Sequence, residues 1–149
     1  MKKSLVLSVI IMLIIGSCAQ EEKPPVTEEK SPLEGAWKQV YGYWHGMDVL
    51  FPDQVEGSHI KMWTVGHFAF LGRFESDTLI TDTYGGGPYK FEGNRCEAIR
   101  QYHSNKSIVG TTARWLIEIR NDTLIQKWPA DENWMLPEQY SIEKYIRLD

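Results

Sequence analysis

The chain has 149 residues, 42% of them hydrophobic and 12% aromatic, and its formal net charge at pH 7 is -4. A chain of this length holds one domain of ordinary size. The acidic balance argues against nucleic acid and anionic membrane surfaces as partners, because both repel a protein of net negative charge.

The first residues have the pattern of a secretion signal. Lys2 and Lys3 precede an almost wholly apolar run over 5–15, which leads into Gly16-Ser17-Cys18. This run covers about 16 Å at the helical rise, roughly half of the hydrocarbon core, so it is too short for a stable transmembrane helix. We therefore predict a signal peptide over 1–17.

Cys18 is the expected lipidation site. Two small residues directly before a cysteine resemble the lipobox of bacterial lipoproteins, in which the cysteine thiol is acylated and becomes the new first residue. An ordinary secretory peptide with a chance cysteine is the alternative. Several acyl chains on Cys18 would anchor the protein stably to a bilayer, whereas a single chain binds only marginally. The resemblance implies a lipid-anchored protein of the cell envelope, with the outer membrane as the expected site.

Residues 18–32 are expected to form the acylated cysteine and a disordered tether. Glu, Lys, Pro and Thr dominate this segment, which has too little apolar surface to fold. Removal of Lys2 and Lys3 with the signal peptide lowers the basic count from 16 to 14 against 20 acidic residues, so the mature net charge is -6. The tether is predicted to hold a single domain, 33–149, away from the membrane.

Within 33–149, apolar residues nowhere recur at helical spacing over three turns. Short runs rich in Val, Ile, Thr and aromatic residues alternate instead with turn residues about every ten positions, which is typical of an all-β meander. Strands of this kind either close into a barrel or stack as a sandwich. The predicted strands lie near 34–44, 58–65, 67–74, 78–83, 87–92, 95–103, 110–120, 123–128 and 139–148.

Three turn signals are specific. Glu92-Gly93-Asn94 and Asn121-Asp122 predict hairpin turns, because Gly, Asn and Asp tolerate the positive φ that these turns require. The run Gly85-Gly86-Gly87-Pro88 lacks the helix and the Lys-Ser/Thr pair of a phosphate-binding loop. It predicts a flexible bend between two strands.

The order of several weak motifs resembles the lipocalin-like (calycin-type) domains of small bacterial lipoproteins. Gly35-x-Trp37 and Glu143-x-Tyr145-x-Arg147 carry most of the likeness. The resemblance covers nearly the whole mature domain and implies an antiparallel up-and-down β-barrel of eight to ten strands. The matching segments are LEGAWK, HIKMWTVGHFAF, GGGPYKFEGNRCEAI, YHSNKSIVGTTARWLIEIRNDTLIQKW and IEKYIRLD.

The resemblance also implies how the barrel closes. In lipocalins the first-strand tryptophan lies at the barrel floor, and an arginine near the end of the chain packs across its indole. Carried over, Arg147 would lie on Trp37; the alternative is an ordinary core tryptophan and a solvated arginine. Plain alternation would turn Glu143, Tyr145 and Arg147 toward water, whereas the resemblance turns them inward. An arginine inside the barrel, Arg100, would then need an acid, and Glu143 is the expected partner.

The aromatic inventory is the main indication of function. Six Trp and seven Tyr exceed what the core of a small domain needs, and rings with a polar edge suit a cavity for an apolar, amphipathic or sugar-like ligand. The alternative is that the rings fill a narrow barrel. Trp128, Trp134 and the loop WPADENWMLPEQ, residues 128–139, are expected to form a lid near the mouth. The residues predicted to bind ligand are Trp37, Tyr41, Phe70, Tyr89, Arg100, Tyr102, Trp115, Trp128, Glu143 and Tyr145.

Metal binding and thiol chemistry have less support. His45, His59, His67 and His103 lack the close spacings of a zinc motif, so no metal and no cofactor are predicted. A site assembled from histidines on separate strands is the alternative. The lone Cys96 is expected to be a small buried hydrophobic residue rather than a nucleophile.

Three functions stay open at this point. The first is a lipid-anchored barrel that binds a small apolar or amphipathic molecule. The second is an interaction or assembly module with a filled barrel, whose partner is another envelope protein. The third is a barrel enzyme, an isomerase or hydrolase, that uses Glu118 and Glu143 as acid and base, although Glu118 is expected to pair with Arg114 or Arg120. A filled barrel favours the second function, and an open cavity with an unpaired buried acid favours the third.

Overall fold

The computed structural model describes residues 30–47 and 49–149. The predicted signal peptide, Cys18 and most of the expected tether therefore lie outside the described residues. Within the described ranges, no helix is long and apolar enough to cross a bilayer. The elements are β1 Gly35–Trp44, β2 Val49–Phe51, β3 Glu56–Thr64, β4 His67–Ser76, β5 Leu79–Glu92, β6 Arg95–Ile99, β7 Tyr102–His103, a 3-10 helix Lys106–Ile108, β8 Thr112–Arg120, β9 Thr123–Trp128 and β10 Ser141–Arg147.

The strands form a closed antiparallel up-and-down barrel. Eight strands pair in the order β1, β3, β4, β5, β6, β8, β9 and β10, and β10 returns to pair with β1. This last pairing runs from Trp37 opposite Arg147 to Tyr43 opposite Ile142. The short strands β2 and β7 lie outside the closed circuit, on β1 and β5. The predicted barrel is confirmed over the sandwich, and all of its pairing lies between Gly35 and Arg147.

Two hairpin turns are confirmed. Glu92 faces Arg95 across the Gly93-Asn94 turn, and Arg120 faces Thr123 across the Asn121-Asp122 turn. Gly93 has a φ of 61° and Asn121 a φ of 53°. Both residue types enter this left-handed region at low cost, which is why these two dipeptides mark the turns.

The glycine run from Gly85 to Gly87 is not a bend, and that prediction is wrong. All three glycines are buried inside the single 14-residue strand β5. A Cβ on Gly85 would lie 2.5 Å from Cε1 of Phe70, and one on Gly87 would meet the carbonyl oxygen of Ile99. The run therefore serves close packing, because neighbouring strands and a phenyl ring approach the bare backbone.

The predicted strand over 95–103 is divided into β6 and β7. The amide of Gln101 donates to the carbonyl of Ile99 at 2.9 Å, which turns the chain out of the ladder. Beyond this turn, β7 pairs with Gly85 and Gly86 on β5. The break moves the following residues to a different face from the one that continuous alternation predicts.

One end of the barrel is filled by a packed core. Leu33 and Trp37 are fully buried, and the ring of Trp63 meets Tyr89 edge-on at 4.7 Å and Trp115 at 6.0 Å. The start of β1, the end of β10 and the β3–β4 turn lie at this end. We call it the floor of the barrel.

The last strand resolves the conflict between patterning and resemblance. Glu143 and Tyr145 are buried, whereas Ile146 and Leu148 are 40% and 52% exposed. The prediction from the resemblance is confirmed, and the one from apolar patterning is wrong. The reason is that the barrel interior is polar, so alternation on β10 places its polar face inward.

Candidate functional site

Above the floor, the barrel encloses a cavity of about 530 Å³. Most of its lining comes from alternation along the strands, since every second side chain of a regular strand points inward. On β3 this brings His59 and Lys61 inside, and on β5 it brings Leu79, Thr81 and Thr83. The volume lies in the range of cavities that hold small ligands.

A hydrogen-bonded polar cluster lies at the buried end of the cavity, centred on the carboxylate of Glu143. Its Oε2 accepts hydrogen bonds from Gln126 Nε2 at 2.8 Å and from the Tyr145 hydroxyl at 2.9 Å. Its Oε1 accepts from Trp44 Nε1 at 2.9 Å. Lys61 Nζ donates to Gln126 Oε1 at 2.9 Å and lies 3.9 Å from Glu143 Oε2. Glu143 is thus a buried acid whose two oxygens are both bound by donors.

Lys61 is a buried cation enclosed by aromatic rings. Its Nζ lies 5.0 Å from the ring centres of both Trp115 and Tyr145. Burial lowers the pKa of Lys61, and the nearby Glu143 carboxylate opposes that shift. Burial beside the same carboxylate raises the pKa of Tyr145 well above its usual range, so Tyr145 remains a hydrogen-bond donor.

His59 forms part of an aromatic wall. Its ring stacks on Phe70 at 5.3 Å and on Phe74 at 6.0 Å between centroids. Burial, reinforced by the charge of Lys61, lowers the pKa of His59 to about 4. The imidazole is therefore neutral at pH 7, and it adds polar atoms to the cavity without adding charge.

Three buried polar atoms on the cavity lining have no hydrogen-bond partner among the described residues. They are Gln39 Oε1, His59 Nδ1 and Trp128 Nε1, and a fourth such atom, Trp63 Nε1, lies at the floor. Buried polar groups in folded proteins nearly always have partners. These atoms are almost fully covered by neighbouring protein atoms, so a bound molecule would reach them only if those neighbours moved.

The outer part of the cavity is mixed in character. Phe70 and Phe74 form one apolar wall, and Met47 and Leu79, which are 68% and 63% exposed, lie on the lining nearer to solvent. Exposed polar residues also line this part, among them Ser76, Thr81 and Asn105. The remaining apolar contributors toward the open end are Val49, Val55 and Ile108.

Most of the residues predicted to bind ligand lie on this cavity. They come from β4, β8, β9, β10 and the turn after β6, so distant parts of the chain meet there. The predicted residues that line the cavity are Phe70, Arg100, Trp115, Trp128, Glu143 and Tyr145.

The other four predicted residues do not line the cavity. Trp37 and Tyr89 are buried in the floor, where the Tyr89 hydroxyl donates to Thr64 O at 3.0 Å. Tyr41 lies on the outer face with Lys144 Nζ 4.9 Å from its ring centre. Tyr102 is 63% exposed on β7. Their positions follow from the floor packing, from a register shift in β1 and from the break before β7.

The predicted pairing of Arg100 with Glu143 is wrong. Arg100 Nη1 donates to Thr111 Oγ1 at 2.9 Å and to Thr112 O at 3.4 Å. The cation beside Glu143 is Lys61 instead. Sequence reasoning missed Lys61 because Ile60 and Met62 flank it, and apolar alternation assigns those two residues to the interior.

The contact expected at the floor is present. The Arg147 guanidinium carbon lies 4.1 Å from the ring centre of Trp37. Arg147 Nη1 donates to Glu34 O and Nη2 to Pro32 O, both at 2.8 Å. Trp37 Nε1 donates to Leu33 O at 2.8 Å. The two side chains therefore join the first and last strands to the segment that leads into the barrel.

The predicted lid is only partly formed. Trp128 lines the cavity, but Trp134 lies 5.6 Å from the guanidinium of Arg95, which is exposed on β6. The segment after Trp128 also donates from the amide of Ala130 to Arg114 O at 3.0 Å. It therefore packs along the outer wall rather than across the mouth.

The other candidates for chemistry lie away from the cavity. Cys96 is fully buried, and burial raises the pKa of its thiol to about 12, as expected for a structural cysteine. Glu118 pairs with Arg120 at 2.6 Å on the exposed surface, while Arg114 pairs with Glu97. No group of three His, Cys, Asp or Glu side chains suited to a metal ion occurs in 30–47 or 49–149.

Comparison with known proteins does not assign the chain to a family. No protein-family model and no curated protein matches the chain.

Proposed function

We propose that this protein is a lipid-anchored envelope lipoprotein whose lipocalin-like barrel binds a small amphipathic molecule. The observation that carries the proposal is a cavity of about 530 Å³ whose lining combines apolar side chains with a buried polar cluster centred on Glu143. Phe70, Phe74 and Leu79 are among the apolar side chains. A ligand with a hydrocarbon part and a polar group would suit both kinds of lining.

The anchoring part of the proposal depends on the sequence before the barrel. Small residues precede Cys18 at the end of an apolar run, and acylation there would hold the barrel beside a membrane. A membrane is also a source of amphipathic molecules, so the anchor and the cavity fit one role.

Two competing functions have less support. A filled barrel would favour a protein-interaction module, and the cavity of about 530 Å³ argues against it. A barrel enzyme would favour a buried acid free to exchange a proton. Glu143 instead accepts hydrogen bonds on both oxygens, which suits a fixed structural charge better than a general acid or base.

Probe binding tests the proposal. All barrel pairing lies between Gly35 and Arg147, so a chain that starts at Ala19 keeps the whole barrel without the acyl anchor. We expect the neutral fluorophore N-phenyl-1-naphthylamine to bind this chain with one site and enhanced emission. A chain that folds but shows no saturable binding would contradict the proposal.

A matched pair of variants tests whether the probe binds inside the cavity or on the outer surface. Thr81 lines the cavity, whereas its neighbour Ile80 is 62% exposed on the opposite face of β5. Thr81→Trp should fill part of the cavity and weaken binding by about tenfold or more, a loss of about 1.4 kcal/mol. Ile80→Trp adds the same ring outside and should leave binding unchanged. Equal effects of the two variants would place the probe on the outer surface.

A further inference from the structure

Among the described residues that line the cavity, positive side chains outnumber negative ones by one. Lys61 and Arg100 are its cations, and Glu143 is the carboxylate among the described residues that line it. His59 adds no charge, because its pKa is about 4. This local excess is opposite in sign to the net charge of -4 on the chain. The inner surface therefore differs in charge from the rest of the molecule.

Arg100, rather than Lys61, carries the positive charge that Glu143 does not balance. Lys61 lies 3.9 Å from the Glu143 carboxylate and donates to Gln126. Arg100 uses only Nη1, toward Thr111 and Thr112, in its hydrogen bonds with the described residues. Its Nε and Nη2 hydrogens form the remaining edge of the guanidinium, which is a planar fork suited to a carboxylate.

No acid among residues 30–47 and 49–149 forms an ion pair with Arg100. Desolvation alone lowers the pKa of Arg100, and the charge of Arg100 lowers the pKa of both Lys61 and His103. A partly buried cation without a counter-charge is costly, and an anion beside it removes that cost. A ligand that supplies the anion would bind more tightly than a neutral molecule of the same shape.

We propose that the cavity selects amphiphiles with a single carboxylate, which pairs with the free edge of Arg100 while the hydrocarbon lies against Phe70 and Phe74. This inference rests on the proposed binding function and specifies the class of its ligand. The pairing adds two parallel charge-assisted hydrogen bonds, which a neutral alcohol of equal length cannot form.

Displacement of N-phenyl-1-naphthylamine from the chain that starts at Ala19 tests the selection. The competitors are decanoate, decan-1-ol, decyl sulfate and decyltrimethylammonium at pH 7 and low salt. We expect decanoate to bind about tenfold or more tightly than decan-1-ol, because hydrogen bonds to a charged group are stronger than neutral ones. Decyltrimethylammonium should bind more weakly than either.

Two arginine variants test whether Arg100 causes the preference for decanoate over decan-1-ol. Arg100→Gln should bring decanoate and decan-1-ol to within about twofold of each other while the neutral probe still binds. Arg120→Gln removes an exposed arginine outside the cavity and should leave the preference intact. A preference that survives Arg100→Gln would overturn the assignment to this residue.

The outcomes separate this inference from the proposed function. Equal binding of decanoate and decan-1-ol would overturn the carboxylate preference and leave amphiphile binding standing. Tighter binding of decyl sulfate would assign the site to a tetrahedral anion and overturn the carboxylate. A folded chain that binds neither the probe nor any of the competitors would overturn both proposals together.

Discussion

The contact between Trp37 and Arg147 allows a quantitative test of how the barrel closes. Trp37 is fully buried, so Trp37→Ala should lower the free energy of unfolding by about 3 to 5 kcal/mol. Arg147→Ala removes a guanidinium 4.1 Å from the indole and two hydrogen bonds at 2.8 Å. The side chain of Arg147 is 26% exposed, so water replaces part of the loss, and we expect about 2 to 3 kcal/mol.

The free energy of unfolding of the double variant decides whether the two side chains stabilise each other. If the guanidinium and the indole stabilise each other, the combined loss from Trp37→Ala and Arg147→Ala should fall short of the sum. We expect a shortfall of at least about 0.5 kcal/mol, and up to about 2 kcal/mol if the contact is desolvated. Arg147→Lys keeps the charge but not the planar fork, and it should lose an intermediate amount.

Urea unfolding followed by far-ultraviolet circular dichroism measures these values without relying on tryptophan emission. A distant pair provides the control. Arg73 pairs with Asp82 on the exposed wall, so Arg73→Ala and Trp37→Ala should be additive to within about 0.5 kcal/mol. Equal additivity for Arg147 and Trp37 would show that their contact does not lock the first strand to the last.

Further predictions concern single groups. The pKa of His59 is about 4 in the folded state and 6.5 in the unfolded chain. The free energy of unfolding should therefore fall by about 3 kcal/mol as the pH drops from 6.5 to 4. Denaturant curves of His59→Gln at the same pH values should lack this dependence on pH. Glu143→Gln leaves Lys61 a buried cation without a counter-charge and should cost about 3 to 5 kcal/mol, with partial recovery when Lys61→Met is added, as urea melts would record. Cys96 should react with a thiol reagent only after unfolding, and rapid labelling of the native protein would contradict its burial. Cys18→Ser should abolish incorporation of radiolabelled palmitate, and equal labelling of the variant would exclude lipidation at this residue.

The sequence was sufficient to predict the meander because turns are encoded locally. The φ values of Gly93 and Asn121, 61° and 53°, are of a kind that few other residues adopt readily, so their positions alone marked two hairpins. The prediction for the glycine run Gly85 to Gly87 was wrong because the role of these residues depends on tertiary contacts. The absence of side chains there allows Phe70 and a neighbouring strand to pack closely, and those contacts exist only after the sheet has formed.

The polar interior could not be predicted from alternation. On β3, the apolar Ile60 and Met62 alternate with His59 and Lys61, and ordinary patterning turns the apolar pair inward. The structure buries His59 and Lys61 instead, at 6% and 4% exposure. The partner of Lys61, Gln126, lies 65 residues away. Such a pair is stable only when the closed barrel brings β3 and β9 around one cavity.

Backbone irregularities explain why two of the predicted site residues, Tyr41 and Tyr102, do not point into the cavity. Tyr41 follows the inward Gln39 by two positions, so alternation predicts that it points inward too. A register shift in β1 between these residues turns Tyr41 outward. Tyr102 follows the turn at Gln101 and lies on the exposed face of a separate strand. No residue pattern in the sequence predicts either the register shift or the turn.

Native mass spectrometry of the protein, extracted in detergent from its own cells, tests amphiphile binding most directly. We expect a population that carries one small molecule beyond the mass of the chain and its covalent modifications. Thr81→Trp should diminish this population, and Ile80→Trp, whose added ring lies outside the barrel, should preserve it. A single unliganded mass for the parent protein, or a bound mass that Thr81→Trp leaves undiminished, would contradict the claim that the cavity holds the ligand.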